Sequence, residues 1–173
     1  PKSTVMRSLH VPTRRFGIQM WLLHTLGYKG LSMRDLIPYL EGKKNGKVVG
    51  ITFDDGYKNN LINAAPILKK YNFSATCYIV SKRIGSSNTW DVDKGITQSS
   101  LMSREEIKEW LKLGLDIGAH SQTHPILHEL GEKESKTEIF GCKDDLETLF
   151  GVEITDFCYP FGEFNKSILN ITE

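Results

Sequence analysis

An apolar run at 48–53 stops abruptly at two carboxylates and a glycine, Asp54-Asp55-Gly56. A continuous apolar run bounded by turn residues predicts a strand covered on both faces, as in a parallel sheet. The pattern recurs at 75–80, 115–119 and 154–159, each predicted as a strand. Between these runs the apolar period lengthens to that of a helix. Phe16, Met20, Leu23 and Leu26 predict one near the start, with Gly27 as its stop, and 33–40 a second capped by Ser32. Leu61, Ala64, Ala65 and Leu68 share a helical face, with Pro66 implying a kink or a late start. Ser103 and Glu106 have the spacing of a capping box ahead of Ile107, Trp110 and Leu111. A helix at 134–150 carries Ile139, Cys142, Leu146 and Leu149 and is closed by Gly151. Strands alternating with helices predict an α/β fold with a parallel sheet and right-handed crossovers.

Composition narrows the class. The 173 residues, 39% hydrophobic and 25% charged, read as one domain with a true core, and neither as disorder nor as a membrane protein. A formal net charge of +1 gives no electrostatic case for nucleic acid as partner. The longest apolar stretches fall far short of a bilayer span. The first residues lack the apolar core of a signal peptide, but Pro1 is not an initiator methionine, so the compartment stays open. Cys77, Cys142 and Cys158 are odd in number and form no zinc-ligand pair pattern. Two of them fall in strand-like segments and are expected to be buried thiols.

Three polar clusters share one property: each follows a predicted strand. Asp54-Asp55 follows 48–53, His120 and His124 follow 115–119, and Tyr159-Pro160-Phe161 ends 154–159. In α/β sheets and barrels the C-terminal ends of the strands are where sites are built. Neighbouring residues on an extended chain point in opposite directions, so the two aspartates are expected to do different jobs, one binding a cation and the other facing a reacting water. Pro125 disfavours a helix at His124, and a turn still converges both imidazoles on one ion. Two histidines and a carboxylate are a common ligand set for catalytic zinc, and other divalent metals accept the same donors. The irregular segment 81–101 is of a length that is usually functional or mobile. In it, Trp90 beside Asp91 is suited to stacking on a sugar ring, or to anchoring a lid or the core.

Thr52-Phe53-Asp54-Asp55-Gly56, His120-Ser121-x-x-His124-Pro125 and Tyr159-Pro160-Phe161-Gly162 resemble, in order, the first three motifs of the polysaccharide deacetylases, the fourth carbohydrate-esterase family. The resemblance runs from about residue 47 to residue 164. It implies a distorted (β/α) barrel, incomplete within this chain, forming a single catalytic domain over 1–173 with a helical lead-in at 1–46. It also implies that Asp54 is the catalytic base and that Asp55, His120 and His124 hold a divalent metal, zinc first, with cobalt, nickel or manganese as alternatives. Acetyl groups would be removed from an N-acetylated glycan, the oxyanion resting on the backbone N–H of Phe161. Tyr159, Pro160 and Trp90 are expected at the substrate.

Two departures shape the expectation. Many members carry an arginine two residues before the proline of the third motif, where this chain has Cys158. The variant without it, together with Met33-Arg34-Asp35-Leu36-Ile37, resembles the branch acting on exopolysaccharides, including poly-N-acetylglucosamine. The family's later motifs, which supply a histidine general acid and an orienting aspartate, have no counterpart before Glu173, so these are expected beyond it. Relatives often work outside the cytoplasm. Two other readings remain: hydrolysis of a small non-sugar amide on the same fold, and a non-catalytic glycan-binding domain. A two-carboxylate glycosidase has no need of the paired histidines.

Overall fold

The structure, a computed structural model, describes residues 10–94 and 96–173. The run leading to the aspartates is extended, as its pattern predicts, but it changes neighbours at Ile51. Its first part, β2 (Val48–Gly50), pairs in parallel with β1 (Lys29–Leu31). Its second, β3 (Thr52–Phe53), pairs in parallel with β4 (Thr76–Ile79), which pairs in turn with β5 (Asp116–Ala119). Ile51 joins the two sheets: its N–H donates to Leu31 O at 2.9 Å and its carbonyl accepts from Thr76 N at 3.0 Å. Every new strand thus lies beside the one before it, with no reversal of order. That sequential parallel order belongs to the wall of a β/α barrel rather than to a doubly wound sheet.

The helices form largely where the period placed them. They are α1 (Thr13–Thr25), α2 (Met33–Leu40), α3 (Ala65–Lys70), α4 (Arg104–Lys112), α5 (Glu132–Phe150) and α6 (Lys166–Thr172). Ser32 caps α2 by accepting from Asp35 N. Ser103 and Glu106 close a reciprocal box at the start of α4. A wide π-helical turn, Asn60–Ala64, leads into α3. It falls where the Pro66 ring would otherwise meet the carbonyl four residues back, which is the kink the proline implied. Trp110 on α4 is fully buried, meets Phe53 edge-on at 5.9 Å, and donates from Nε1 to Asp116 O at 2.8 Å. It therefore ties together the two strands that present the aspartates and the histidines.

Three expectations need correction. The strand predicted at 154–159 is a single parallel bridge, Ala119↔Phe157, because only the Ala119–Asp156 and Cys158–Ala119 backbone bonds reach β5. Among the strand-borne cysteines Cys77 is buried, but Cys158 is only half-buried, since it stands at the open end of that bridge. Within the lead-in, β1 is a strand that the helical period did not indicate.

Candidate active site

The end of β3 turns sharply. Asp55 has φ 69° and Gly56 has φ 75°, the left-handed region that costs a non-glycine residue on the order of 1–3 kcal/mol. Five non-glycine residues among those described have positive φ, and four of them (Asp55, Ser121, His124 and Phe161) belong to the three motifs. Strain concentrated in this way persists only where surrounding contacts over-determine it. At Asp55 it turns the carboxylate toward the histidines while the neighbouring Asp54 stays exposed.

His120 continues β5, its N–H donating to Ile79 O at 3.0 Å. Its Nδ1 donates to Cys158 O at 2.8 Å, and Nε2 lies 3.2 Å from Asp55 Oδ1. The same oxygen lies 3.2 Å from His124 Nε2. The His124 N–H donates to Ser121 Oγ at 2.9 Å, which closes the turn between the histidines. Trp90 stacks on the His124 ring at 4.5 Å, and Phe161 meets it edge-on at 4.6 Å. The buried His124 Nδ1 has no hydrogen-bond partner among the described residues. Burial raises the Asp55 carboxyl, but hydrogen bonds and charge from His120 and His124 outweigh it and hold the group well below the usual carboxylate range. Burial likewise pushes the His120 imidazole down, and the bonds to Asp55 and Cys158 outweigh it, raising the pKa to about 10.

The ligand atoms of Asp55, His120 and His124 all lie within 4.8 Å of one another, two imidazole nitrogens and one carboxylate oxygen. The Cys158 carbonyl holds a proton on His120 Nδ1, so that when the Nε2 proton shared with Asp55 is lost the Nε2 lone pair is the one free for an ion, the tautomer that ligation requires. The residues present fit a divalent ion.

Two contacts at the site were not visible in the sequence. Cys158 Sγ lies 3.6 Å from Asp54 Oδ1, so a thiol stands against this carboxylate where many relatives place an arginine. Tyr57 stands near Asp55, and burial, then the charges of Asp55 and Asp91, push its hydroxyl far above the ordinary phenol, so it keeps its proton. Of the residues expected at substrate, Trp90 is half-buried against His124, Pro160 is buried, and the Tyr159 hydroxyl is 2.6 Å from Thr172 Oγ1. The Phe161 side chain is 40% exposed. A cleft of about 680 Å³ opens beside Asp54 and Asp55, lined among others by Phe16, Gln19, Tyr57, Asn60 and Asn63.

The family model for polysaccharide deacetylases matches residues 41–173. The chain belongs to the polysaccharide deacetylase family. Among similar proteins, YxkH of Bacillus subtilis (strain 168) is 32% identical over 168 residues, which cover 96% of this chain and 56% of YxkH. A poly-β-1,6-N-acetyl-D-glucosamine N-deacetylase of Staphylococcus aureus (strain MSSA476) is 32% identical over an alignment 186 residues long, gaps included, that covers 98% of this chain and 59% of that one. The chain therefore spans a little over half the length of these curated relatives. The structure of IcaB from Ammonifex degensii superposes with a TM-score of 0.82 at 23% identity, over 99% of this chain and 74% of the other. The fold is thus the β/α fold of polysaccharide deacetylases, and the chain holds part of it. No helix among the described residues is long and apolar enough to cross a membrane.

Proposed function

We propose that the protein is a metal-dependent hydrolase that removes N-acetyl groups from an N-acetylglucosamine-containing polysaccharide, an exopolysaccharide or cell-wall glycan. The observation that carries this reading is the convergence of Asp55, His120 and His124 on one point beside the exposed Asp54. The similarity to the Staphylococcus aureus enzyme supports the choice of glycan. Asp55, His120 and His124 hold the ion, for which zinc suits two imidazoles and one carboxylate best. When bound, a divalent ion there lowers the pKa of its water and polarises the acetamide carbonyl.

The chain's own groups do the rest. Asp54 accepts the proton of the attacking water, and the Cys158 thiol beside it orients that carboxylate. The Phe161 N–H, in a turn fixed by Pro160 and by the left-handed Phe161 backbone, is directed at the oxyanion. Trp90 packs the outer face of His124 and, with the Tyr159-Pro160-Phe161 turn, borders the sugar. The cleft lined by amides and aromatic rings takes a neighbouring part of the glycan.

The test pairs two variants. Asp54→Asn abolishes acetate release from N-acetylglucosamine oligomers and keeps its metal, whereas His120→Ala loses metal and activity together. Elemental analysis alongside an acetate assay reads both. Loss of metal in Asp54→Asn would reverse the roles of the two aspartates, and glycan binding without turnover in the metal-loaded protein would make this a binding domain.

A further inference from the structure

Two of the three residues between the histidines, Gln122 and Thr123, are gripped from outside the site. Thr123 donates twice to Glu138 of α5, from its N–H to Oε2 at 2.8 Å and from Oγ1 to Oε1 at 2.7 Å. The Gln122 side-chain amide donates to Asp145 Oδ2 at 2.9 Å, an oxygen that also accepts from Ser81 Oγ at 2.7 Å. The Gln122 backbone is held as well, its N–H on Glu138 O at 3.1 Å and its carbonyl accepting from Lys82 N at 3.0 Å. Glu138 and Asp145 are seven residues apart and so lie on one face of α5. Between them on that face sits Gly141, where a Cβ would stand 2.6 Å from Gln122 Nε2 and 2.8 Å from its Cδ. Glycine is a poor residue for the middle of a 19-residue helix. Here it lets the helix backbone come up against the Gln122 amide.

This grip has a purpose in the backbone. Ser121 at φ 61° and His124 at φ 66° bracket Gln122 and Thr123, so the turn has a left-handed residue on either side of the gripped pair. Such a conformation relaxes unless outside contacts fix it, and both imidazoles move with it. We infer that Glu138, Gly141 and Asp145 form a docking stripe on α5 that positions His120 and His124 for metal, acting through Gln122 and Thr123. The stripe touches neither ion nor substrate, so its members are positioning residues. The inference rests on the metal reading proposed above.

Zinc affinity of the purified protein, measured by competition with a chromophoric chelator, tests it independently of turnover. Gly141→Ala is the most informative variant, because alanine improves the helix while its methyl displaces the Gln122 amide. Zinc binding is expected to weaken about tenfold or more, with the metal-free protein remaining folded by circular dichroism. Glu138→Ala, which removes both acceptors of Thr123, is expected to weaken zinc binding similarly, and Thr123→Ser, which keeps the hydroxyl, to leave it near wild type. Wild-type affinity in both Gly141→Ala and Glu138→Ala would overturn the inference while leaving the metal reading intact. Failure of the wild-type protein itself to bind zinc would overturn the metal reading, and this inference with it.

Discussion

Asp55 and His120 answer each other electrostatically. The imidazole pKa rises from the ordinary 6.5 to about 10, and the carboxyl falls below its ordinary 3.8. For the raised histidine, the stabilisation of the metal-free protein is fully present below pH 6.5 and is lost as pH rises through about 10. For the depressed aspartate, it is present above 3.8 and lost as pH falls further. At pH 8 the metal-free His120 therefore carries a proton that ligation must expel. Zinc added in weak buffer at that pH is expected to release about one proton per site, read with an indicator dye, and apparent affinity is expected to rise with pH. Absence of release would mean that His120 is already neutral. Asp54, Asp55, His120 and His124 were legible as candidate-site residues because each follows an apolar run that ends at the sheet's C-terminal rim. The Cys158 thiol, the Tyr57 hydroxyl and the α5 carboxylates were not. Cys158 lies 104 positions from Asp54, and a contact that distant leaves no local pattern.

Elements were legible in proportion to the length of their pattern. Runs such as 75–80 and 115–119 fold as strands because both faces find cover. The run at 154–159 is also largely apolar but finds a neighbour on one side only, and it bridges once. β1 escaped notice because it is three residues long and has glycine at its centre. Gly30 is there for closeness: a Cβ would lie 2.5 Å from Ile51 Cδ1 and 2.7 Å from the Phe73 ring. α6 lacked a long period, and its start is set by Asn165 Oδ1 accepting from Ile168 N at 3.0 Å. α4, by contrast, was announced by its cap. Ser103→Ala removes the hydroxyl that accepts from Glu106 N, and it is expected to lower stability by about 1 kcal/mol. Urea unfolding reads that change, and zinc affinity is expected to be unaffected, since Ser103 serves the helix and not the site.

At the scale of the whole molecule, the site is a seam between parts of the sheet. Asp55 comes from the end of β3, the histidines from the end of β5, and Phe161 from the turn after the Phe157 bridge. Trp110 holds β3 and β5 together from the helical side, while the proposed ion would hold them from the open end. A ligand that binds only the folded chain, with its donors scattered across more than sixty residues of sequence, stabilises that fold by mass action. Free zinc at one hundred times its dissociation constant is accordingly expected to raise the unfolding free energy by about 2.7 kcal/mol. The rise should follow zinc concentration logarithmically, and Asp55→Ala should flatten it. Asp55→Ala also puts a residue that tolerates the left-handed region less well at φ 69°, while the histidines lose their shared acceptor. The metal-free stability of that variant is therefore not the deciding quantity; the slope against zinc is. A slope equal to wild type would mean that the ion is held elsewhere, whereas a flat line would place Asp55 at the junction through which metal binding and folding are coupled.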